Sequence, residues 1–269
     1  MLPDDLAVHL RAARPGGQAP PFDVRWLAST TSTMDVASRL AHEGAPHGVV
    51  VGAEQQTSGR GRRGTTWASP PGSGLYFSFI ARPSPAAKAP PSLRVPEGAP
   101  SLITLAAGVA VREGIATAAG LAADLKWPND LLIGRRKVAG ILAEGIAIGS
   151  RDQAVIIGVG VNVQPAAYPP DVAVRATSVE GELGTAVDRG LLLSHILIAL
   201  WDRLAILDQR PGDILQAWRA ASPNAIGTRV DWEGKHGTTA GIDDRGALLV
   251  RTDTGVERII GGELHWHLR

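Results

Sequence analysis

Runs of apolar residues, and the spacing between them, divide the chain into strands and helices. Short, nearly continuous apolar runs predict buried strands at about 22–27, 49–53, 75–80, 137–148 and 154–163. Apolar residues three and four positions apart predict helices at about 6–13, 33–44, 101–119, 188–208 and 211–221. Long helices together with buried strands favour an α+β fold.

The pattern changes near the C-terminus. From Gly227 onwards, short strands alternate with turns that contain glycine and aspartate. Such strands and turns predict a small SH3-like β-barrel. We therefore expect an N-terminal extension at 1–21, a main domain at 22–222 and an SH3-like domain at 223–269. The Pro- and Ala-rich stretch 82–100 predicts an exposed loop.

Composition and charge exclude several classes of function. The 269 residues include no cysteine, which excludes thiolate catalysis, disulfides and zinc–thiolate sites and fits a reducing cytoplasm. A formal net charge of +1 gives no overall field that would attract nucleic acid or an anionic membrane. No signal-peptide pattern opens the chain, and no uninterrupted apolar run approaches the roughly 18 residues of a membrane span. We expect a cytoplasmic protein with neither a membrane nor a nucleic acid as its partner.

A loop rich in glycine and arginine follows the second predicted strand. Residues 59–64 read Gly-Arg-Gly-Arg-Arg-Gly; backbone amides that no side chain obstructs, together with guanidinium groups, predict an anion-binding nest. The spacing matches a dinucleotide-binding loop, but Thr65, Thr66, Trp67 and then prolines follow where that motif needs a helix. The lysine of a Walker A loop and the further signatures of a protein kinase are absent from the sequence. Taken alone, the six residues are best explained as a solvated basic loop.

A second group of charged residues lies in and beside apolar strands. Lys126, Asn129 and Asp130 surround the expected end of a strand at Pro128, and Lys137 opens the next one. An unpaired charge in this setting is costly, so these charges are expected to face a ligand or a partner charge. Asp130 is a candidate Mg²⁺ ligand, because a metal on nucleotide phosphates often takes only one or two protein carboxylates. With the arginine loop, this group indicates chemistry on the phosphates of ATP.

Four ordered blocks resemble the biotin protein ligases. Residues 54–64, with Trp67, Ser69 and Pro70, are similar to the biotin loop of that family. Lys-Trp-Pro-Asn-Asp at 126–130 resembles its most recognisable block, and 137–144 and 158–162 are similar to the next two. Their order and spacing agree, and the likeness extends from about Phe22 into the C-terminal domain. Several ordered blocks are far more specific than a lone glycine motif.

The resemblance implies a fold and a reaction. The fold is a mixed β-sheet backed by helices, the class II aminoacyl-tRNA-synthetase-like fold of biotin and lipoate ligases, followed by the SH3-like domain. In the first step, the carboxylate of biotin attacks the α-phosphate of ATP and gives biotinyl-5′-AMP and pyrophosphate. In the second, a lysine of the biotin carboxyl carrier domain of a carboxylase takes the biotinyl group and releases AMP. Biotin is thus a substrate, with ATP and Mg²⁺ as cofactors.

The resemblance also assigns site residues by position. Those assigned to biotin are Ser32, Thr33, Gln56, Arg60, Gly61 and Arg62, with Lys137 near its carboxylate. Those assigned to ATP are Trp67 and Asn162 near the adenosine and Asn129 and Asp130 near the phosphates. Lys126 is expected to stabilise the adenylating transition state, and Lys137 and Arg62 are grouped with it as catalytic. The remaining expected ligand contacts are Met34, Gly59, Arg63, Gly140 and Glu144.

One position departs from the family pattern. The family usually has Ser-Thr-Asn in its first block, whereas Met34 follows Ser32 and Thr33 here. A thioether replaces an amide, so any side-chain hydrogen bond at this position is lost. Met34 is therefore expected to be either a pocket residue or a buried helix residue.

Two other functions stay open at this point. A lipoate ligase of the same broad fold also adenylates an acid for transfer to a carrier lysine, although the 59–64 loop and the 126–130 block favour biotin. The second is a biotin-sensing binding or repressor protein without ligase activity. Family members that repress transcription carry an N-terminal helix-turn-helix domain, for which the stretch before Phe22 leaves no room. We expect a ligase only, as a monomer or a homodimer.

Overall fold

The structure is a computed structural model that describes residues 4–12, 22–82, 102–149, 152–166 and 168–268. The predicted loop at 82–100 lies almost entirely outside these residues. Within them, the helices are α1 (Asp4–Ala12), α2 (Thr33–His42), α3 (Leu102–Ala119), α4 (Pro170–Ala173), α5 (Val179–Leu183), α6 (Arg189–Ile206) and α7 (Pro211–Ala220). The strands are β1 (Asp23–Leu27), β2 (Val49–Ala53), β3 (Gly74–Ala81), β4 (Asp124–Lys126), β5 (Asp130–Ile133), β6 (Arg136–Ile146), β7 (Ala154–Asn162), β8 (Ile226–Trp232), β9 (Lys235–Ile242), β10 (Leu248–Thr252), β11 (Gly255–Ile259) and β12 (His265–Trp266).

The larger sheet is mixed, as expected. Among the described strands its order is β1-β2-β3-β7-β6-β5-β4, with β1 and β2 parallel and every other neighbouring pair antiparallel. Asp130 lies opposite both Lys126 on β4 and Gly140 on β6, and Gly140 lies opposite Gly160 on β7. The register therefore brings residues from three of the predicted blocks side by side.

Helices cover both faces of this sheet. Val50 of β2 belongs to the main core, whereas Val49 and Val51 face α2, as the two-residue period of a strand requires. The other face packs against α3, and α6 packs in turn on α3. By length and composition α3 is apolar enough to cross a membrane, but 61% of the relevant window is buried in the protein, which is typical of a core helix.

The C-terminal strands form a second, antiparallel sheet in the order β11-β10-β9-β8-β12. It packs directly on the main part of the chain. The indole Nε1 of Trp127 donates to the carbonyl of Gly246 at 3.0 Å, and Arg219 donates to the carbonyl of Ile242 at 3.0 Å. Apolar residues of both sheets therefore belong to one continuous core.

Two predicted elements differ at their ends. The strand expected to reach 148 stops at Ile146, because Ala147 and Gly149 take positive φ values of 47° and 87°. The helix expected from 188 begins one residue later, since the Asp188 carboxylate caps it by accepting from the Leu191 amide at 2.9 Å. Helices α4 and α5 were not predicted.

Candidate active site

A cavity of about 760 Å³ lies over β6 and β7, between the start of α2 and the loop after β2. Most of the predicted site residues line it: Thr33, Met34, Gln56, Arg60, Gly61, Arg62, Arg63, Trp67, Lys126, Asn129, Asp130, Lys137, Gly140 and Asn162. Ser32, Gly59 and Glu144 do not line this cavity. The structure thus brings together the four blocks that are separate in sequence.

Glycines on β6 and β7 form the floor on which Trp67 lies. A Cβ at either Gly140 or Gly160 would clash with the indole ring of Trp67. The Trp67 amide donates to the Gly59 carbonyl at 2.8 Å, and the Lys137 ammonium stands 5.1 Å from the centre of the indole ring. The indole Nε1 is buried without a hydrogen-bond partner among the described residues.

The 59–64 loop is a tight turn with its own hydrogen bonds. The Gly61 amide donates to the Thr65 carbonyl at 2.7 Å, and Arg63 and Gly64 take positive φ values of 54° and 75°. The Gly61 N–H is thus already used within the loop, and the anion-binding nest stays a prediction. A Cβ at Gly59 or Gly61 would meet neighbouring loop atoms, so glycine at these positions is required by close packing.

Asp130 connects the two predicted lysines. Its Oδ1 lies 2.5 Å from the Lys137 ammonium and its Oδ2 lies 3.3 Å from the Lys126 ammonium. Burial alone would raise the pKa of Asp130, but Lys137 and then Lys126 hold this pKa below its ordinary value. The carboxylate is therefore ionised at neutral pH. The partner charge that was expected for each lysine is the Asp130 carboxylate.

Arg62 brings a third positive charge to the same wall. Its Nη1 donates to the Asn129 Oδ1 at 3.3 Å, and the Asn129 amide donates to the Ile141 carbonyl at 2.9 Å. Burial lowers the pKa of Arg62, Asp130 opposes this shift, and Arg63 adds to it. A guanidinium stays charged in proteins, so the cavity holds fixed, partly desolvated positive charge.

The start of α2 carries a neutral polar network. The Gln56 Oε1 accepts from the Thr33 amide at 2.8 Å and from its hydroxyl at 3.1 Å, and the Gln56 amide donates to the Ser69 hydroxyl at 2.9 Å. Ser32 is fully buried and caps the helix by accepting from the Met34 amide at 3.3 Å. Met34 is both a buried helix residue and a cavity residue, and its sulfur fills the space over Gly158.

Ion pairs tie the 59–64 loop to the elements around it. Arg60 pairs with Asp35 of α2 at 2.8 Å and with Glu144 of β6 at 2.6 Å. Glu144 therefore holds the guanidinium of Arg60, and this ion pair joins the 59–64 loop to two separate elements. Asn162, a cavity residue at the end of β7, joins this strand to its surroundings, because its amide donates to the carbonyls of Thr177 and Lys137 at 2.9 and 3.3 Å.

A metal ion has only a limited set of donors here. The described residues contain no group of three or more His, Cys, Asp or Glu side chains that would hold one. Both oxygens of Asp130 are engaged by ammonium groups. Asp130 is thus a single carboxylate donor, and one or two such carboxylates are what a metal ion bound to nucleotide phosphates often takes from the protein.

Comparison with known proteins decides the family. Residues 26–162 match the model of the biotin/lipoate A/B protein ligase family, and residues 233–264 match the biotin protein ligase C-terminal domain. A biotin–[acetyl-CoA-carboxylase] ligase of Paracoccus denitrificans is 36% identical over 253 residues, which cover 88% of this chain and 98% of that protein. This chain belongs to the biotin protein ligase family.

Other biotin protein ligases agree in sequence and in fold. The bifunctional ligase/repressor BirA of Bacillus subtilis is 37% identical over 241 residues, covering 87% of this chain and 71% of BirA. A structure of the Aquifex aeolicus biotin protein ligase in complex with biotin and ATP superposes with a TM-score of 0.74 and 27% identity, covering 92% of this chain and 99% of that one. The chain is thus an enzyme, and the expected fold and ligase class are confirmed.

The cavity of this biotin protein ligase is also lined by residues that were not predicted from the sequence. Tyr168, Arg135 and Arg175 all line it. Arg135 lies in the turn between β5 and β6, and the other two lie in the connection after β7. The backbone of that connection is tied to β6, because the Lys137 amide donates to the Arg175 carbonyl at 2.7 Å. The apolar residues of this segment have no regular spacing that would predict a strand or a long helix. Its position directly after the 158–162 block is the one sequence feature that indicates a place near the site.

Proposed function

We propose that this biotin protein ligase joins biotin and ATP into biotinyl-5′-AMP in the cavity over β6 and β7, and then transfers the biotinyl group to a carrier lysine. The observation that carries the proposal is the cluster of Lys126, Lys137 and Arg62 around Asp130. Adenylation brings two anions together, so its first requirement is positive charge held in place before the reaction.

In the first step, a carboxylate oxygen of biotin forms a bond to the α-phosphorus, and the bond from that phosphorus to the bridging oxygen breaks. Pyrophosphate leaves with the electron pair. Negative charge grows on the α-phosphate oxygens, and Lys126, Lys137 and Arg62 are the donors proposed to stabilise it. Removal of one such donor typically costs on the order of 10²–10³ in rate.

The two substrates are assigned to opposite sides of this charge. Thr33, Gln56 and the thioether of Met34 form a neutral wall suited to the rings of biotin. Trp67, over Gly160, and Asn162 lie further along β7 than Met34, which lies over Gly158, and they are assigned to the adenosine. Glu144 is assigned an indirect role, because its ion pair with Arg60 holds the 59–64 loop, and Arg60 itself, which lines the cavity, stays a proposed biotin contact.

Mg²⁺ is proposed to enter with the phosphates of ATP. Asp130 is the residue that would approach it, and the metal would supply charge neutralisation on the phosphates. Asp130 also orients Lys126 and Lys137 without any metal.

In the second step, an unprotonated lysine amine attacks the carbonyl carbon of the mixed anhydride, and AMP leaves. The proposed acceptor is a biotin carboxyl carrier domain of a carboxylase in the cytoplasm. Residues 22–222 are proposed as the catalytic domain, with 1–21 as an extension and 223–269 as the C-terminal domain. The absence of a nucleic-acid partner stays a prediction, which a DNA pull-down would test.

The test is ATP–pyrophosphate exchange with Mg²⁺ and either biotin, lipoate or no acid. We expect exchange with biotin alone, and a loss of at least about 100-fold in Lys137→Ala. Lys235→Ala is the matched control, because Lys235 is an exposed lysine paired with Glu257 at 2.9 Å and lies outside the cavity. Exchange with lipoate would overturn the substrate, and equal losses in both variants would overturn the role of Lys137.

A further inference from the structure

The long loop between β2 and β3, residues 54–73, is closed at its base by an ion pair that lies outside the cavity. The two ends of this 54–73 loop meet where the Gly72 amide donates to the Glu54 carbonyl at 3.2 Å. Arg189 of α6 contacts the same two residues. Its Nη1 donates to the Glu54 Oε2 at 3.0 Å and to the Gly72 carbonyl at 3.5 Å. One guanidinium group thus holds both ends of the loop.

The position of Arg189 is not explained by α6 itself. Arg189 is the first residue of that helix, and a positive charge at a helix N-terminus is electrostatically unfavourable. Its carboxylate partner belongs to a different element, and the side chains of Arg189 and Glu54 are only 18% and 26% exposed. The other Glu54 oxygen accepts from the indole of Trp26 on β1 at 2.7 Å. Charge-assisted contacts from α6 and β1 therefore fix Glu54 from two sides.

The base of the 54–73 loop also carries part of the neutral wall assigned to biotin. Gln56 follows Glu54 by two residues, and Ser69 precedes Gly72 by three. The Gln56 amide donates to the Ser69 hydroxyl at 2.9 Å, and the Gln56 Oε1 accepts from the Thr33 amide at 2.8 Å. Gln56 thus bridges the two ends of the loop next to the ion pair. It lines the cavity, whereas the ion pair does not.

The tip of the 54–73 loop is held by other contacts. Arg60 pairs with carboxylates of α2 and β6, and the ring of Trp67 lies on glycines of β6 and β7. These contacts do not depend on α6. Loss of the ion pair at the base is therefore expected to disturb Gln56 more than the residues assigned to ATP.

We infer that Arg189 is a positioning residue for biotin: through its ion pair with Glu54 it fixes the base of the 54–73 loop, and with it the place of Gln56 in the cavity wall. The inference rests on the proposed function for the identity of the acid. Arg189 lies outside the cavity and takes no part in bond making or bond breaking.

The test is Arg189→Ala in biotin-dependent ATP–pyrophosphate exchange. We expect the KM for biotin to rise about three- to ten-fold, because part of the free energy of a charged hydrogen bond is lost from the positioning of Gln56. The KM for ATP and kcat stay within about two-fold. Arg189→Lys keeps the charge, so its KM for biotin should lie between those of Arg189→Ala and wild type. An equal KM in the two variants would overturn the role of the charge.

Arg203→Ala is the matched control. Arg203 lies on the same helix, pairs with Glu113 of α3 through two hydrogen bonds, and is 24% exposed, close to the 18% of Arg189. Both alanine variants should lose melting temperature, but only Arg189→Ala should raise the KM for biotin. A KM for biotin within two-fold of wild type in Arg189→Ala would overturn the inference, as would an equal rise in Arg203→Ala or an equal rise in the KM for ATP.

The double variant Glu54→Gln/Arg189→Ala tests the pairing itself. Without the carboxylate, loss of the guanidinium leaves no unpaired charge, so the KM for biotin should be no higher than in Arg189→Ala alone. If the two single effects multiply, the residues act separately and the inference is wrong. Should Arg189→Ala not fold, Glu54→Gln alone decides: the same rise in the KM for biotin is expected, and an unchanged KM overturns the inference.

Failure of the proposed function would be seen separately, as no biotin-dependent exchange by the wild-type enzyme. Hydrogen exchange of the ligand-free proteins then still decides the inference, because the ion pair holds the base of the loop before any ligand binds. The amides of residues 54–58 and 68–73 should exchange faster in Arg189→Ala than in wild type or Arg203→Ala. Equal exchange in all three proteins would overturn the inference.

Discussion

At the scale of single residues, the decisive feature is the position of Asp130 between two lysines. The apolar setting of these charges predicts that they face a ligand or a partner charge, and the Asp130 carboxylate contacts both Lys126 and Lys137. Each ammonium is therefore partly compensated before any substrate arrives. Compensation lowers the cost of keeping both charges in an apolar setting, and it fixes the position of the two ammonium groups that are proposed to act in adenylation.

Asp130→Asn tests this pairing through stability. Loss of the carboxylate leaves two partly buried ammonium groups without their partner, which is expected to cost about 1–3 kcal/mol of unfolding free energy at neutral pH. The pKa of Asp130 is lowered in the folded protein, so its contribution is complete above the ordinary Asp value of about 3.9 and is lost as pH falls through the folded-state pKa. Urea unfolding of both proteins should show a difference that is constant between about pH 5 and 8 and shrinks below about pH 4. A difference that already shrinks between pH 8 and 5 would contradict the assignment.

At the scale of elements, the floor of the site depends on glycines in two neighbouring strands. Gly140 on β6 and Gly160 on β7 are cross-strand partners, and both lie under the Trp67 ring. A side chain at either position would occupy the space of the indole. Glycine normally weakens a strand interior, so its presence here is explained by close approach of the ring.

Gly160→Ala is expected to displace Trp67. The added methyl group clashes with the indole ring and should cost about 1–3 kcal/mol of stability through overpacking. It should also raise the KM for ATP in the exchange assay, because the ring is assigned to the adenosine. Gly212→Ala is the control, since a Cβ there meets nothing within 4 Å and alanine favours the α7 helix. If Gly160→Ala is as stable as Gly212→Ala, the packing argument is wrong.

At the scale of the whole molecule, the two sheets share one core. Val230 and Leu248 of the C-terminal sheet belong to the same cluster as Trp127 of the main part. The Trp127 indole also donates to the Gly246 carbonyl, across the expected boundary between the domains. The division at residue 222 stays a prediction, but the shared core implies that the two parts stabilise each other.

We therefore expect one unfolding transition for the whole chain. Urea unfolding followed by tryptophan fluorescence and by far-UV circular dichroism should give coincident curves. Trp127→Phe leaves the Gly246 carbonyl without its donor, which should lower the stability of that single transition by about 1–3 kcal/mol. Two separated transitions, with only one of them shifted by Trp127→Phe, would show that the C-terminal domain unfolds independently.

The sequence by itself determined the longer elements, the family and fourteen of the residues that line the cavity. Apolar spacing is a local property, so it predicts strands and helices to within a few residues. The 59–64 loop and the 126–130 block are also local, and they led to Arg62, Lys126 and Asp130. Met34 was predicted as a pocket residue or a helix residue, and the structure shows that it is both.

Only the tertiary structure decided which of these residues touch. The Asp130 contact with Lys137 depends on the pairing of β5 with β6, which carries a bulge near Leu131 that apolar spacing does not reveal. Arg60 is held by Asp35 and Glu144, from elements far apart in sequence. Tyr168 reaches the cavity through an irregular connection whose path is set by backbone hydrogen bonds to β6. Contacts of this kind depend on strand register and chain path, and neither is encoded in the spacing of neighbouring residues.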